Sequence, residues 1–214
     1  MRTSSARETA RDIGNAGVWI DHAKLTSEDL NWLVDVERLT LWNVSIPDDF
    51  LKNIPSLWWV DWRGGSAKQG IEQIGDCKGV RYLSLNQIRG LSDVDFIGQL
   101  TRLELLNLYG LSKLADLPSM KGLSELRRAQ VGQVKSLASI KPLLQAPNLE
   151  EIQFHNWVKV DSGDVAEMKQ HPSLASFEWF GPDIPDKMWV PVCDALGLPK
   201  TRSMHPEEWF GLPA

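Results

Sequence analysis

The sequence predicts an α/β solenoid: a curved parallel β-sheet on the concave side, with helices and 3₁₀ turns on the convex side. Three observations predict it. An apolar-x-apolar core recurs, its second residue falling at Ile20, Leu41, Trp62, Leu85, Leu108, Val131, Phe154 and Trp179, at intervals of 21, 21, 23, 23, 23, 23 and 25 residues. The residue two before each (Val18, Leu39, Val60, Leu83, Leu106, Ala129, Ile152 and Phe177) is apolar as well. Each short segment thus has one apolar face at a period of two, as a strand does. Beyond the core the apolar spacing changes to three, as in Leu111, Leu114, Leu117, Met120 and Leu123, which suits 3₁₀-like turns. No repeat of this kind buries its apolar face alone, so stacking makes the core.

The elements follow in chain order. Residues 1–17 precede the first repeat and are read as an N-terminal cap. Thr26-Ser27-Glu28-Asp29 ahead of Leu30, Leu33 and Val36 predicts a helix, with a hydroxyl N-cap and acids in its first turn. Ser45-Ile46-Pro47-Asp48-Asp49 ahead of Phe50, Leu51 and Ile54 predicts a second, with proline near its start. The steps of three, including Val134, Leu137, Ile140 and Leu143, predict thinner turns thereafter. Asp161-Ser162 ahead of Val165 and Met168 predicts a third helix. Three residues before each repeat's first apolar residue stand Leu33, Ile54, Cys77, Leu100, Leu123, Ala146 and His171. Pro55, Pro147 and Pro172 follow three of them, where proline stops a turn and favours extended backbone. That slot makes Cys77 a small buried apolar residue and His171 a capped or half-buried edge residue. Residues 181–214 are read as a C-terminal cap anchored by Met188, Trp189 and Val190, because a bare terminal repeat would expose its apolar edge. The whole, 1–214, reads as a single domain with about eight repeats over 18–180.

The fuller core pattern, apolar-x-x-apolar-x-apolar-x-x-apolar, reads Leu103, Leu106, Leu108, Leu111 in one copy and Val80, Leu83, Leu85, Ile88 in another. On these residues the chain resembles the leucine-rich repeat family from about Val18 to Trp179. It departs from the family where many members place Asn or Cys after the strand. Here stand Val44, Gly65, Ile88, Leu111, Val134 and Trp157, so an apolar spine replaces a buried asparagine ladder. The resemblance is to the short, irregular repeats common in bacterial proteins.

Composition narrows the function. With 214 residues, 43% of them apolar, the chain has ample material for one elongated core. Two cysteines without a Cys-x-x-Cys form neither a disulfide framework nor a zinc site and suit a reducing compartment. Residues 1–15 carry Arg2, Arg7 and Arg11 but no apolar core, unlike a secretory signal, and no apolar run approaches the length of a membrane span. These features predict a cytoplasmic protein without a membrane association. No basic stripe points to nucleic acid. No phosphate loop, His-x-x-x-His pair or nucleophile elbow is present, so no catalytic residue, metal ligand or cofactor is assigned.

The residues between the core positions project onto the concave face in three columns. The first holds Gly17, Arg38, Trp59, Tyr82, Leu105, Arg128, Glu151 and Ser176. The second holds Trp19, Thr40, Asp61, Ser84, Asn107, Gln130, Gln153 and Glu178, and the third Asp21, Trp42, Arg63, Asn86, Tyr109, Gly132, His155 and Phe180. Neighbours in a column lie about 4.8 Å apart. Aromatic and arginine side chains on an open sheet are costly unless covered, and the same residue types dominate binding hot spots. Trp19, Arg38, Trp42, Trp59, Asp61, Arg63, Tyr82, Tyr109 and His155 are therefore the candidate partner-binding residues. They are expected to point away from the core and to contribute little to folding. The competing reading is that tryptophan, with 10 copies, is merely abundant and packs against itself.

From Glu150 onward there are 11 acids against 5 bases, which could steer a basic partner to that end. The resulting functional expectation is a non-enzymatic module that grips a protein partner with its concave face. The family resemblance implies inhibitor or immunity-type partners of toxins, or adaptors. The alternative is a small-ligand or glycan receptor that stacks sugar rings on the Trp and Tyr row.

Overall fold

The structure is a computed structural model describing residues 5–202 and 204–212. Nine strands lie in one sheet in sequence order. They are β1 Arg11–Asp12, β2 Gly17–Asp21, β3 Arg38–Trp42, β4 Trp59–Arg63, β5 Tyr82–Asn86, β6 Leu105–Tyr109, β7 Arg128–Gly132, β8 Glu151–His155 and β9 Ser176–Phe180. β2 to β9 pair in parallel, each strand with the same position of the next repeat. Every column expected from the spacing is present, from Val18–Leu39–Val60 through Ile152–Phe177 and from Ile20–Leu41–Trp62 through Phe154–Trp179. β1 instead folds back antiparallel, setting Arg11 opposite Trp19, and so covers the free edge of β2.

The core lies between the sheet and the returning turns. Leu39, Leu41, Leu83, Leu85, Leu106, Leu108, Ile152 and Phe154 are all fully buried there. Cys77 sits in the same core, and burial pushes its thiol pKa up to about 12, so it stays an inert thiol. His171 is half-buried. Its Nε2 faces the Ala146 carbonyl at 3.0 Å while Nδ1 accepts from the Leu174 amide at 3.2 Å, which fixes it as a capping residue. Val44, Ile88, Leu111 and Val134 form the expected apolar spine; Gly65 and Trp157 in the same slot are only half-buried.

The convex side follows local sequence with two departures. The helices are α1 Ala6–Thr9, α2 Leu30–Leu33, α3 Lys141–Leu144, α4 Ser162–Gln170, α5 Asp186–Leu196 and α6 Pro206–Trp209. α2 begins as a 3₁₀ turn, Ser27–Asp29, and the Asp29 carboxylate accepts from the Thr26 amide at 2.8 Å. α4 starts where expected, with Asp161 and Asp164 each accepting the other's amide at 2.9 Å. The helix expected after Ser45 is only one 3₁₀ turn, Leu51–Asn53. Asp49 there has φ +61°, which breaks helical propagation, and the Phe50 amide donates to Gln73 Oε1 at 2.7 Å instead of starting a helix. α5 packs on β9 through Met188, Trp189, Val192 and Cys193; Val190, expected as an anchor, is not part of this cluster.

One backbone device repeats at the end of the strands. His22, Asn43, Gly64, Gln87, Gly110, Gln133 and Asn156 directly follow β2 to β8, and all take φ between +46° and +69°. The amide of each donates to the carbonyl that ends the next strand, as His22 to Trp42 at 2.8 Å and Gln87 to Tyr109 at 2.8 Å. The left-handed residue turns the chain off the sheet while the hydrogen-bond ladder gains one more rung. Only two of the seven are glycine, so the other five hold a conformation that costs an ordinary side chain about 1 kcal/mol or more.

Candidate functional site on the concave face

Alternation in β3 to β6 turns Arg38, Trp59, Tyr82 and Leu105 away from the core. They nevertheless do not meet solvent. Trp59 and Tyr82 are each 3% exposed, as is Arg38, and Trp59, Tyr82 and Leu105 form a second apolar cluster with Trp58, Trp209 and Phe210. The cover is the chain itself. After α5 the Pro199 carbonyl accepts the Phe177 amide at 2.9 Å, and Thr201 Oγ1 donates to Glu178 at 2.8 Å. Arg202 then pairs with Glu151, and its guanidinium lies 4.7 Å from the Trp209 ring. Glu207 of α6 reaches Arg38 Nη2 at 3.1 Å. The described residues of segment 201–212 therefore cross the concave face from β9 back to β3.

This corrects the expectation of an open face at four positions: Arg38, Trp59, Asp61 and Tyr82. The physical reason is aromatic and electrostatic. The Trp59 ring stacks between the Arg38 guanidinium, 4.5 Å from its centroid, and Tyr82, at 4.0 Å. Phe210 meets Trp58 edge-on at 5.0 Å, and Arg81 lies 5.0 Å from the Phe210 ring. Burial, with Asp61 nearby, raises the Tyr82 pKa above its ordinary value, so the phenol stays neutral. In this structure Trp59 is packed within the chain, as the competing reading of tryptophan expects.

The cover fits imperfectly. Trp19 Nε1, Arg38 Nε, Trp59 Nε1 and Asp61 Oδ1 are buried without a hydrogen-bond partner among the described residues. Each such group costs about 1–3 kcal/mol when left unmet in a dry site. A cavity of about 450 Å³ lies beside them, bounded by Ile13, Trp19, Arg38, Asp61, Tyr82 and Glu207. At the other end the second column is linked, Gln130 donating to Gln153 at 2.8 Å and Gln153 to Glu178 at 3.3 Å. In the first column Arg128 lies 3.2 Å from Glu151, yet Arg128 Nε and Nη1 and Glu151 Oε2 have no hydrogen-bond partner among the described residues.

The third column stays open. Trp42 is 44% exposed and Phe180 57% exposed, while Arg63, Tyr109 and His155 are half-buried. Trp19 supports Trp42 edge-on at 6.1 Å and lies under the Arg63 guanidinium at 5.0 Å, so Trp19, Trp42 and Arg63 form one group. Asp61 holds Arg63 Nε at 2.8 Å, and this hydrogen bond raises the Arg63 pKa. At the far end His155 packs against Phe180 at 6.2 Å, and burial lowers the His155 pKa below the usual histidine range. The structure thus splits the nine expected residues. Trp42, Arg63, Tyr109 and His155 line an open edge with Trp19 beneath; the other four lie under the returning segment.

Phe180 belongs to this edge and was not among the nine, although its column is plain from the spacing. Glu207, Trp209 and Phe210 were missed for a different reason. Acids beside aromatics in 206–210 show that the segment carries interaction chemistry, but nothing in the spacing says where it docks. Among the described residues no cluster of three or more His, Cys, Asp or Glu could hold a metal ion, and no helix is long and apolar enough to cross a membrane.

No protein-family model and no curated protein matches the chain. Its fold is similar to the crystal structure of an internalin (InlF) from Listeria monocytogenes, with TM-score 0.53 at 20% identity, covering 85% of this chain and 58% of that one. An internalin C2 from the same organism gives TM-score 0.41 at 20% identity over 75% of this chain and 80% of that one. The chain spans less than two thirds of the length of the first. The architecture is an α/β leucine-rich repeat solenoid.

Proposed function

We propose that the chain is a non-enzymatic protein-interaction module whose partner lies along the open edge of the concave face. The observation that carries this reading is the pair of exposed aromatics, Trp42 and Phe180, on one column. They stand on β3 and β9, six strands apart, which at about 4.8 Å per strand is roughly 29 Å. That span is about the diameter of a small folded domain. It suits a globular protein better than a sugar, whose stacking platform would need adjacent open rings, and Trp59 and Tyr82 are covered. Arg63 and Tyr109 between the two anchors are residue types enriched at interfaces.

The partner class on this reading is that of an inhibitor, immunity-type or adaptor protein. The free thiols of Cys77 and Cys193 support work in a reducing compartment, the cytoplasm. The chain acts as one repeat domain, with the described residues of 1–17 and 181–214 closing the stack. In quantitative pull-down followed by calorimetry, Trp42→Ala and Phe180→Ala should each weaken partner binding by about 2–4 kcal/mol, the range of central aromatic anchors. Lys113→Ala on a convex turn should leave it unchanged. Near-native affinity of both aromatic variants would reject the reading.

A further inference from the structure

The row Arg38, Trp59, Tyr82 and Leu105 carries an occupant that the chain itself supplies. We propose that this row is a docking site for an acidic–aromatic peptide segment of a protein partner, that residues 201–212 hold it in the free protein, and that the partner segment displaces them. The proposal rests on the concave face being a protein-binding surface, and adds the segment chemistry it takes.

The resident segment shows what the row recognises. A carboxylate, Glu207, meets the buried guanidinium of Arg38 at 3.1 Å. Three residues later an aromatic ring, Phe210, lies on Trp58, Trp59 and Tyr82, with centroids 5.0, 6.0 and 6.4 Å away. Arg81 closes over that ring at 5.0 Å. The site therefore reads an acid and, three positions on, an aromatic. It lies on the solvent side of the sheet and forms an apolar cluster separate from the main core.

Three features mark the occupant as exchangeable. It leaves Arg38 Nε, Trp59 Nε1 and Asp61 Oδ1 without partners among the described residues. It leaves a cavity of about 450 Å³ against the same side chains. No residue of α6 is buried, so the helix rests on the face through one side of its surface. A segment that fills the cavity and meets the two idle donors and the idle acceptor has room to bind better than the resident one.

The test uses the full chain, with a fluorescein-labelled synthetic peptide of residues 201–212 as the probe and fluorescence anisotropy as the readout. The variant carrying Glu207→Ala and Phe210→Ala, whose own segment is weakened, should bind the probe at least about ten-fold more tightly than the unaltered chain. A probe carrying the same two substitutions should lose at least about ten-fold. Hydrogen exchange on the unaltered chain provides a second readout. The Phe210 and Leu212 amides, bonded within the segment, should exchange at least about a hundred-fold faster than the amide of Leu106 in β6. No probe binding by the variant, its failure to fold by circular dichroism, or equal protection of Leu212 and Leu106 would each overturn the proposal. A concentration-dependent dimer that the two substitutions abolish would overturn it too, assigning the row to a second copy's segment. Trp42→Ala and Phe180→Ala should leave probe binding unchanged. Loss of the natural partner in those variants, with probe binding intact or absent, therefore separates the two readings.

Discussion

Trp42 and Trp59 occupy the same side of neighbouring strands and have opposite fates. Trp59 is closed off by Arg38, Tyr82 and Phe210, whereas Trp42 rests on Trp19 with one face in water. Trp59→Ala should therefore destabilise the fold by about 3–5 kcal/mol, as truncation of a buried ring does. Trp42→Ala should change stability by only about 0.5 kcal/mol. Leu108→Ala, deep behind β6, should cost about 2–5 kcal/mol. Urea unfolding of the three variants checks the order, and a Trp59→Ala loss as small as that of Trp42→Ala would contradict the packing described. Alternation in the sequence tells which side of the sheet a residue takes. It is silent on what later covers that side, and this is why Trp42 could be read from the spacing while the burial of Trp59 could not.

At the scale of elements, the strands were legible because a period of two and a repeat of 21–25 residues act together. α4 was legible because its cap and its apolar residues lie within one short stretch. The turns leaving the strands were not legible, since His, Asn, Gln and Gly all fill the left-handed position and no single residue type signals it. Their cost can be measured. Gly110 has φ +69°, and a Cβ there would stand 2.8 Å from Gln87 Cγ, so Gly110→Ala should destabilise by about 1–2 kcal/mol or more. Gln87→Gly, at φ +54° in the preceding repeat, removes the strain and should be neutral or stabilising by up to about 1 kcal/mol. Thermal melts decide between them; equal losses in both would show that side-chain contacts, rather than backbone strain, set the energetics of these turns.

At the scale of the whole molecule, His155 stands on the open edge of the face beside Phe180. Burial holds the His155 pKa below 6.5, so the unfolded chain takes up a proton on this residue before the folded chain does. Its contribution to stability is thus complete above about 6.5 and declines as pH falls through that value toward the lower folded-state pKa. His155→Asn should flatten the dependence of urea midpoints on pH between about 7.5 and 5.5. An unchanged slope would mean that His155 titrates as freely in the fold as outside it. Half of the site, the Trp42 edge, follows from repeat arithmetic; the covered half depends on a contact between Arg38 and Glu207, 169 residues apart. That separation also has a meaning in time. The stack assembles through pairings 21–25 residues apart, which form early because little chain must be closed to make them. The crossing of segment 201–212 closes a far longer loop and should be the last contact made on folding and the first broken on opening. Before that contact forms, and again once it breaks, the sheet should stand complete with its inner row bare, so that a newly made molecule exposes the covered residues before its own chain reaches them.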